Sequence, residues 1–401
     1  MRHLCLAAVA LLAPSAALAQ TTPAPSVTSA EATPGLRVPT GGDSALQLGG
    51  YVETYYSFNF NQPSNGITEF RAFDNRHNAF ALQSVAVDVG WSNPHLAARL
   101  VLQAGTAPDT YYGASEPGLA GSALTPASDA RAVRFVQQAN LAWSPLPRRL
   151  VIDAGLFLSP IGGEGMATHA NFGWSQSVMF FGLPFYHLGA RVQWSPNARH
   201  ALRLGVYNGW NNVLDNNDEK TLGLDYTFTP STALTVGFAY FTGVERATSA
   251  PEGRAWRHLL DAHAQWQPSP RVQLLANVNA GLEPNAMGLS AWAAANVAAR
   301  FKLTRWLYAA ARATAFYERR ASRDGQTAAA IAIPSEWIAS GTATLEARPH
   351  GHVSFKLELR HDAAATPTYF SGAVSGDGAA TPFAPNARSQ TTLTLGATAW
   401  F

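Results

Sequence analysis

One cysteine, three lysines and no long apolar run past the first twenty residues are what this chain of 401 residues is short of, and each shortage excludes something. Cys5 sits in the N-terminal segment, and the residues before it, Met-Arg-His-Leu, do not make a lipoprotein site. A chain trimmed of that segment has neither a disulfide nor thiol chemistry. Past residue 20 no stretch reaches the roughly 18 apolar residues that a membrane helix needs. The 28 basic residues are 25 Arg and 3 Lys, scattered rather than clustered, which excludes a nucleic-acid-binding stripe. Against 26 acids the formal balance is +2, or 27 − 26 = +1 without Arg2, and implies no charged partner.

The first nineteen residues have the three-part form of a cleaved signal peptide: Arg2 and His3, the run Leu4 to Leu12, then Ala17-Leu18-Ala19 before Gln20. Residues 20–45, rich in Pro, Thr, Ser, Ala and Gly and without apolar periodicity, read as a flexible periplasmic lead-in. No composition break follows, so residues 46–401 form one closed unit. If that unit enters a membrane it does so as a closed barrel, because only helices and closed sheets satisfy every backbone group in lipid.

From Leu46 one unit repeats: a segment of alternating polarity, a short turn, a second such segment, then a longer Gly, Asn, Asp and Ala-rich connection. The turns are Trp91-Ser-Asn-Pro94, Trp143-Ser-Pro145, Trp194-Ser-Pro196, Phe228-Thr-Pro230, Trp266-Gln-Pro268, the stretch from Phe301 to Arg305, and Arg348-Pro349-His-Gly351. Strands are expected at 46–60, 79–91, 96–106, 133–143, 150–158, 187–195, 201–210, 220–229, 233–243, 256–266, 271–282, 291–302, 305–318, 337–347, 351–361 and 389–401. The total is sixteen and even, with both termini at the short-turn end and eight long connections at the other, as an all-β transmembrane antiparallel β-barrel of the bacterial outer membrane requires. Trp91, Trp143, Trp194, Phe228, Trp266, Phe301 and the terminal Phe401 then make an aromatic girdle at the periplasmic lipid interface.

Parity assigns the strand faces. Leu46, Leu48, Val52, Tyr56, Phe58 and Phe60 alternate with Gln47, Tyr51, Glu53, Ser57 and Asn59, and Val353, Phe355, Leu357 and Leu359 with Ser354, Lys356, Glu358 and Arg360. Apolar outside and polar inside inverts a soluble core. The last strand, with Leu393, Leu395, Ala397, Ala399 and Phe401 on one face, resembles the signal read by the barrel-assembly machinery, an expected partner beside outer-membrane lipid.

Gly155-Leu-Phe157, Ser159-Pro160, Gly163-Glu164, Asn171, Ser175, Ser177, Pro184-Phe-Tyr-His187, Gly189, Arg191, Tyr207-Asn-Gly-Trp210, Asp215-Asn-Asn217 and Lys220-Thr221 together resemble the β-barrel porin family called OmpL-like, or BBP2. The opening strand from Leu48 to Tyr56 and the late stretch Leu357 to Asp362 fit the same pattern, whereas Ala313-Thr314-Ala315 departs from it by lacking an acidic residue after Arg312. The resemblance implies an outer-membrane channel and leaves its cargo unspecified.

Sixteen strands enclose an aqueous bore, so passive diffusion of small hydrophilic solutes follows from geometry, with no cofactor, metal or catalytic residue. The third external loop, residues 159–186, carries Met166, Phe172, Trp174, Met179, Phe180, Phe181 and Phe185. Such side chains need burial, either by folding into the lumen or by packing on the rim or a neighbouring subunit. The inward fold puts Glu164 and His169 at a constriction, opposite Arg99, Arg134, Arg191 and Arg203. The inward face further carries Glu53, Asp88, Asp153, Asp225, Asp261, Glu318, Glu346, Glu358, Arg300, Arg312, Lys356 and Arg360. Each can brace the wall by pairing across strands, and the balance of signs argues for weak ion selectivity. Small residues at Ala293 to Ala299 and Ala309 to Ala315 mark either a flat contact in a homo-oligomer or simply an Ala-rich composition. Two other functions stay open: a barrel enzyme of lipase or protease type, although the histidines share no spacing with Ser or carboxylate partners, and a plugged structural or adhesive barrel.

Overall fold

The computed structural model describes residues 35–112 and 133–401; the expected signal peptide and the lead-in as far as residue 34 lie outside them. A first strand, β1 (Leu36–Gly41), precedes thirteen wall strands: β2 (Ser44–Asn59), β3 (Ala79–Ser92), β4 (Leu96–Ala104), β5 (Val136–Leu146), β6 (Leu150–Leu158), β7 (Tyr186–Asn197), β8 (His200–Tyr207), β9 (Thr221–Ser231), β10 (Leu234–Val244), β11 (Trp256–Ser269), β12 (Val272–Asn285), β13 (Gly288–Lys302) and β14 (Leu307–Arg319). A two-residue hairpin, β15 (Ser322–Arg323) and β16 (Gln326–Thr327), rides on the next loop before the last three wall strands, β17 (Trp337–His350), β18 (Val353–Ala364) and β19 (Ser389–Trp400).

Each wall strand pairs antiparallel with its neighbours, and β19 returns to β2 with Leu395 opposite Tyr56, closing a sixteen-stranded barrel. The seam ends on the terminal residue: the Phe401 amide donates to the Gly50 carbonyl at 3.0 Å and the Gly50 amide to the Phe401 carbonyl at 3.2 Å. Below it β1 pairs with the start of β2, Leu36 opposite Leu48, so the lead-in expected to be flexible through residue 45 is already sheet from Leu36.

The expected strands agree with the observed ones to within a few residues, and three differences matter. β5 begins at Val136 rather than residue 133, which leaves Arg134 in the second external connection, where a short helix α1 (Ala107–Tyr111) also lies. The sixth external connection is a tight Ala286-Met287 turn rather than a long loop: the alternation of β12 and β13 runs on to Asn285 and Gly288, whose φ of 124° suits glycine. The 320–336 connection carries the β15–β16 hairpin.

The faces follow parity. On β18 Phe355, Leu357 and Leu359 are 43–48% exposed, while Ser354, Lys356, Glu358 and Arg360 are 1% exposed. The seven expected girdle aromatics all sit at the short-turn end. A second belt, Phe60, Phe80, Phe135, Trp256, Tyr317 and Trp337, is exposed at the other end. Phe80 and Trp91 both lie on β3; at about 3.3 Å per residue and a tilt of about 40° they stand roughly 28 Å apart, close to the apolar band of a barrel in lipid. Among the described residues no helix is long and apolar enough to cross a membrane, so the strands are what spans it.

Candidate functional site

The third loop, residues 159–185, crosses the lumen. Its apolar residues find their burial inside the barrel: Trp174, Met179, Phe181 and Phe185 are all buried, the last three packed in one cluster with Phe70 and Phe73 of the first loop, Trp292, Phe316 and Ile331 to Ile333. Phe70 meets Phe181 and Phe73 meets Phe180 edge-on. A Cβ on Gly396 of β19 would stand 2.1 Å from the Trp174 ring, so glycine there makes the indole's place in the wall.

The loop backbone is held by charged side chains of the far wall. Glu53 on β2 accepts from the Thr168 amide at 2.6 Å and its hydroxyl at 2.7 Å. Lys356 Nζ donates to the carbonyls of Thr168, Asn171 and Gly173 at 2.6, 2.6 and 2.9 Å. Glu358 accepts from the amides of Trp174 at 2.6 Å and Ser175 at 3.2 Å. Arg312 donates to the Ser175 carbonyl at 2.5 Å and Arg360 to that of Gln176 at 2.7 Å. Asp261 and Asn277 accept from the Gly162 and Gly163 amides. These bonds satisfy backbone groups that a loop in a closed lumen would otherwise leave unpaired.

Pore-wall residues named from parity therefore split into two roles. Glu53, Asp261, Arg312, Lys356, Glu358 and Arg360 are covered by the loop, whereas Asp153 and Asp225 line open cavity. Glu346 braces the wall through Arg348 at 2.8 Å and Arg300 at 3.4 Å, and Glu318 accepts from the amides of Ile331, Ala332 and Ile333, pinning the 320–336 connection.

On the near side a cavity of about 430 Å³ remains between the loop and the wall, lined by Glu164, His169, Arg99, Arg191, Arg203, Asp88 and Asp225 among others. His169 stacks on Trp400 with ring centroids 4.8 Å apart. The expected field between Glu164 and four arginines is not what forms. Glu164 pairs with Arg312 at 2.8 Å and accepts from the Ser177 amide at 3.0 Å. Arg99 pairs with Asp88 at 2.7 Å, Arg191 with Asp153 at 2.5 Å and Arg203 with Asp225 at 3.1 Å. Arg191 also lies over the Phe157 ring, 3.4 Å from its centroid. Arg134 stands apart at the external end, 3.5 Å from Asp109 of α1, because β5 starts after it.

The first loop carries a group that parity could not reveal. Its Arg71 reaches into the barrel, donates to Asp74 at 3.3 Å and to the Thr392 hydroxyl, and lies 3.9 Å from both Glu358 and Asp362. Within this loop Glu69 is buried with one carboxylate oxygen unpartnered among the described residues, and burial pushes its carboxyl up to about 8.

The family model described as "Putative beta-barrel porin-2, OmpL-like" (BBP2) matches residues 45–401. The chain belongs to this family. No curated protein matches its sequence. Among solved structures it is similar in fold to OmpT, an outer membrane protein of Vibrio cholerae in its trimer form, at 10% identity and a TM-score of 0.55, covering 90% of this chain and 100% of that one. The outer membrane channel DcaP of Acinetobacter baumannii gives 10%, 0.55, 92% and 99%; the anion-selective porin from Comamonas acidovorans gives 10%, 0.55, 89% and 100%. This BBP2 member is an outer-membrane porin-like channel.

Proposed function

We propose that this porin passes small hydrophilic solutes through the strip of lumen that the third loop leaves free along β4 to β9, and that this loop is the constriction. The observation that carries the reading is the one-sided anchoring of the loop: Glu53, Lys356, Glu358 and Arg360 hold it to the far wall, while cavity persists beside Arg99, Arg191 and Arg203. Conductance in a planar bilayer tests it. A barrel lacking residues 163–180 conducts more than the full chain, and an unchanged value would sink the constriction.

A second reading, a barrel closed by its own loops, draws on the aromatic contacts between the first and third loops on the external side; absence of any conductance in the full chain would favour it. The mechanism asks for no catalytic group, and assay of the purified protein for lipase and protease activity tests that. Export through a cleaved signal peptide, insertion by the barrel-assembly machinery through the strand ending at Phe401, and association of copies complete the proposal.

A further inference from the structure

Toward the short-turn end the free strip continues into a second cavity of about 240 Å³, which shares Arg99, Arg191, Arg203 and Thr227 with the first. Five arginines line it, the three shared ones with Arg148 and Arg199, against one carboxylate, Asp153. The shared arginines each have an aspartate partner. Arg148, on the β5–β6 turn, and Arg199, on the β7–β8 turn, are exposed, and no described carboxylate lies within ion-pair distance of either.

The surplus is general at this end. The turns joining wall strands at 93–95, 147–149, 198–199, 232–233, 270–271, 303–306 and 351–352 carry Arg148, Arg149, Arg199, Arg271 and Arg305 and no Asp or Glu. Asp43, in the β1–β2 turn, does not line this cavity, and Glu346 is engaged by Arg300 and Arg348. The even tally of charges over the whole lumen does not describe the open strip, since Lys356, Arg360, Glu53 and Glu358 are buried under the third loop and meet no passing ion.

We propose that this mouth is a binding site for small oxyanions, carboxylate or phosphate, which loads the passage from the periplasmic side and makes the porin anion-preferring. The proposal rests on the diffusion reading above. Unpaired guanidinium groups in a narrow mouth raise the local anion concentration within a Debye length of about 8–10 Å, and their planar donors match oxyanions. The paired arginines deeper in present the next donors along the same wall.

The full chain in a planar bilayer under a potassium chloride gradient gives the test. Expected is a chloride over potassium preference on the order of threefold, falling toward unity in the R148A/R199A double variant. Citrate and inorganic phosphate, tested separately, are expected to reduce wild-type current more from the short-turn side, and this asymmetry should vanish in the variant; whichever blocks more strongly identifies the oxyanion class. Cation preference, no preference, or an anion preference and block unaltered in the variant overturns the site. If the wild type does not conduct at all, the diffusion reading fails first. Calorimetric binding of citrate and phosphate to the detergent-solubilised wild type and an Arg199→Glu variant then still decides the site, and equal binding by both overturns it.

Discussion

Glu358, on the wall strand β18, accepts a 2.6 Å hydrogen bond from the backbone amide of Trp174, a residue nearly half the chain away. A buried carboxylate that receives loop amides is stabilising only while the loop stays docked, and the loop's backbone has its partners only while the carboxylate is there. Wall and loop are thus one interdependent unit.

Removing that carboxylate should undock the loop. Glu358→Ala leaves the Trp174 and Ser175 amides and the Thr344 hydroxyl without their acceptor and takes away the carboxylate 3.9 Å from the buried Arg71, a change that typically costs about 3–5 kcal/mol. Single-channel records should show larger and noisier currents, and a variant with wild-type current and unchanged thermal unfolding would contradict the anchoring.

Two glycines make a paired test of packing. Gly396→Val intrudes on the Trp174 ring, whereas a Cβ at the outward Gly341 meets nothing within 4 Å. Overpacking of a fitted site costs roughly 1–3 kcal/mol, so Gly396→Val should lower the unfolding temperature and disturb the current, while Gly341→Ala should do neither. Equal effects from the two would disprove a specific role for Gly396.

Glu69 predicts a pH response of the first loop. Its carboxyl is raised from 4.5 to about 8 by burial, so the docked loop holds the protonated form more tightly than the undocked one. The stabilisation is fully present below pH 4.5, declines as pH rises, and is lost above about 8. Current fluctuations should therefore grow from pH 5 to pH 9 in the wild type, and Glu69→Gln should flatten the profile; a variant as pH-sensitive as the wild type would count against the assignment. Arg71 and Asp74 on the same loop, and Tyr369 facing it, remain in both proteins.

The small-residue rows form a flat outward patch. Ala295 stands opposite Ala315 and Ala299 opposite Ala311, and β17 extends the patch because Ala339 faces Ala315, Gly341 faces Ala313 and Ala343 faces Ala311. If copies meet there, Ala311→Cys should crosslink to a dimer on oxidation while Leu204→Cys, outward on β8 and 56% exposed, should not. Monomer alone from both would leave the patch to composition.

The sequence by itself determined the wall. Period-two alternation and aromatic-bearing turns such as Trp143-Ser-Pro145 act over a few residues, so strand number, facing and the girdle could be read without any contact. The same parity placed Lys356 and Glu358 inside, because a wet lumen is the only place a transmembrane strand can turn such charges. What only the tertiary structure decided is which inward charges meet one another and which meet solute. Arg312 holds Glu164 across 148 residues of chain, Arg71 comes in from a loop without periodicity, and Arg134 falls outside the wall because β5 starts three residues later than expected. Those outcomes depend on where the third loop lands. Its landing is fixed by buried amides and aromatic rings finding partners on distant strands, an interaction that leaves no local period to read.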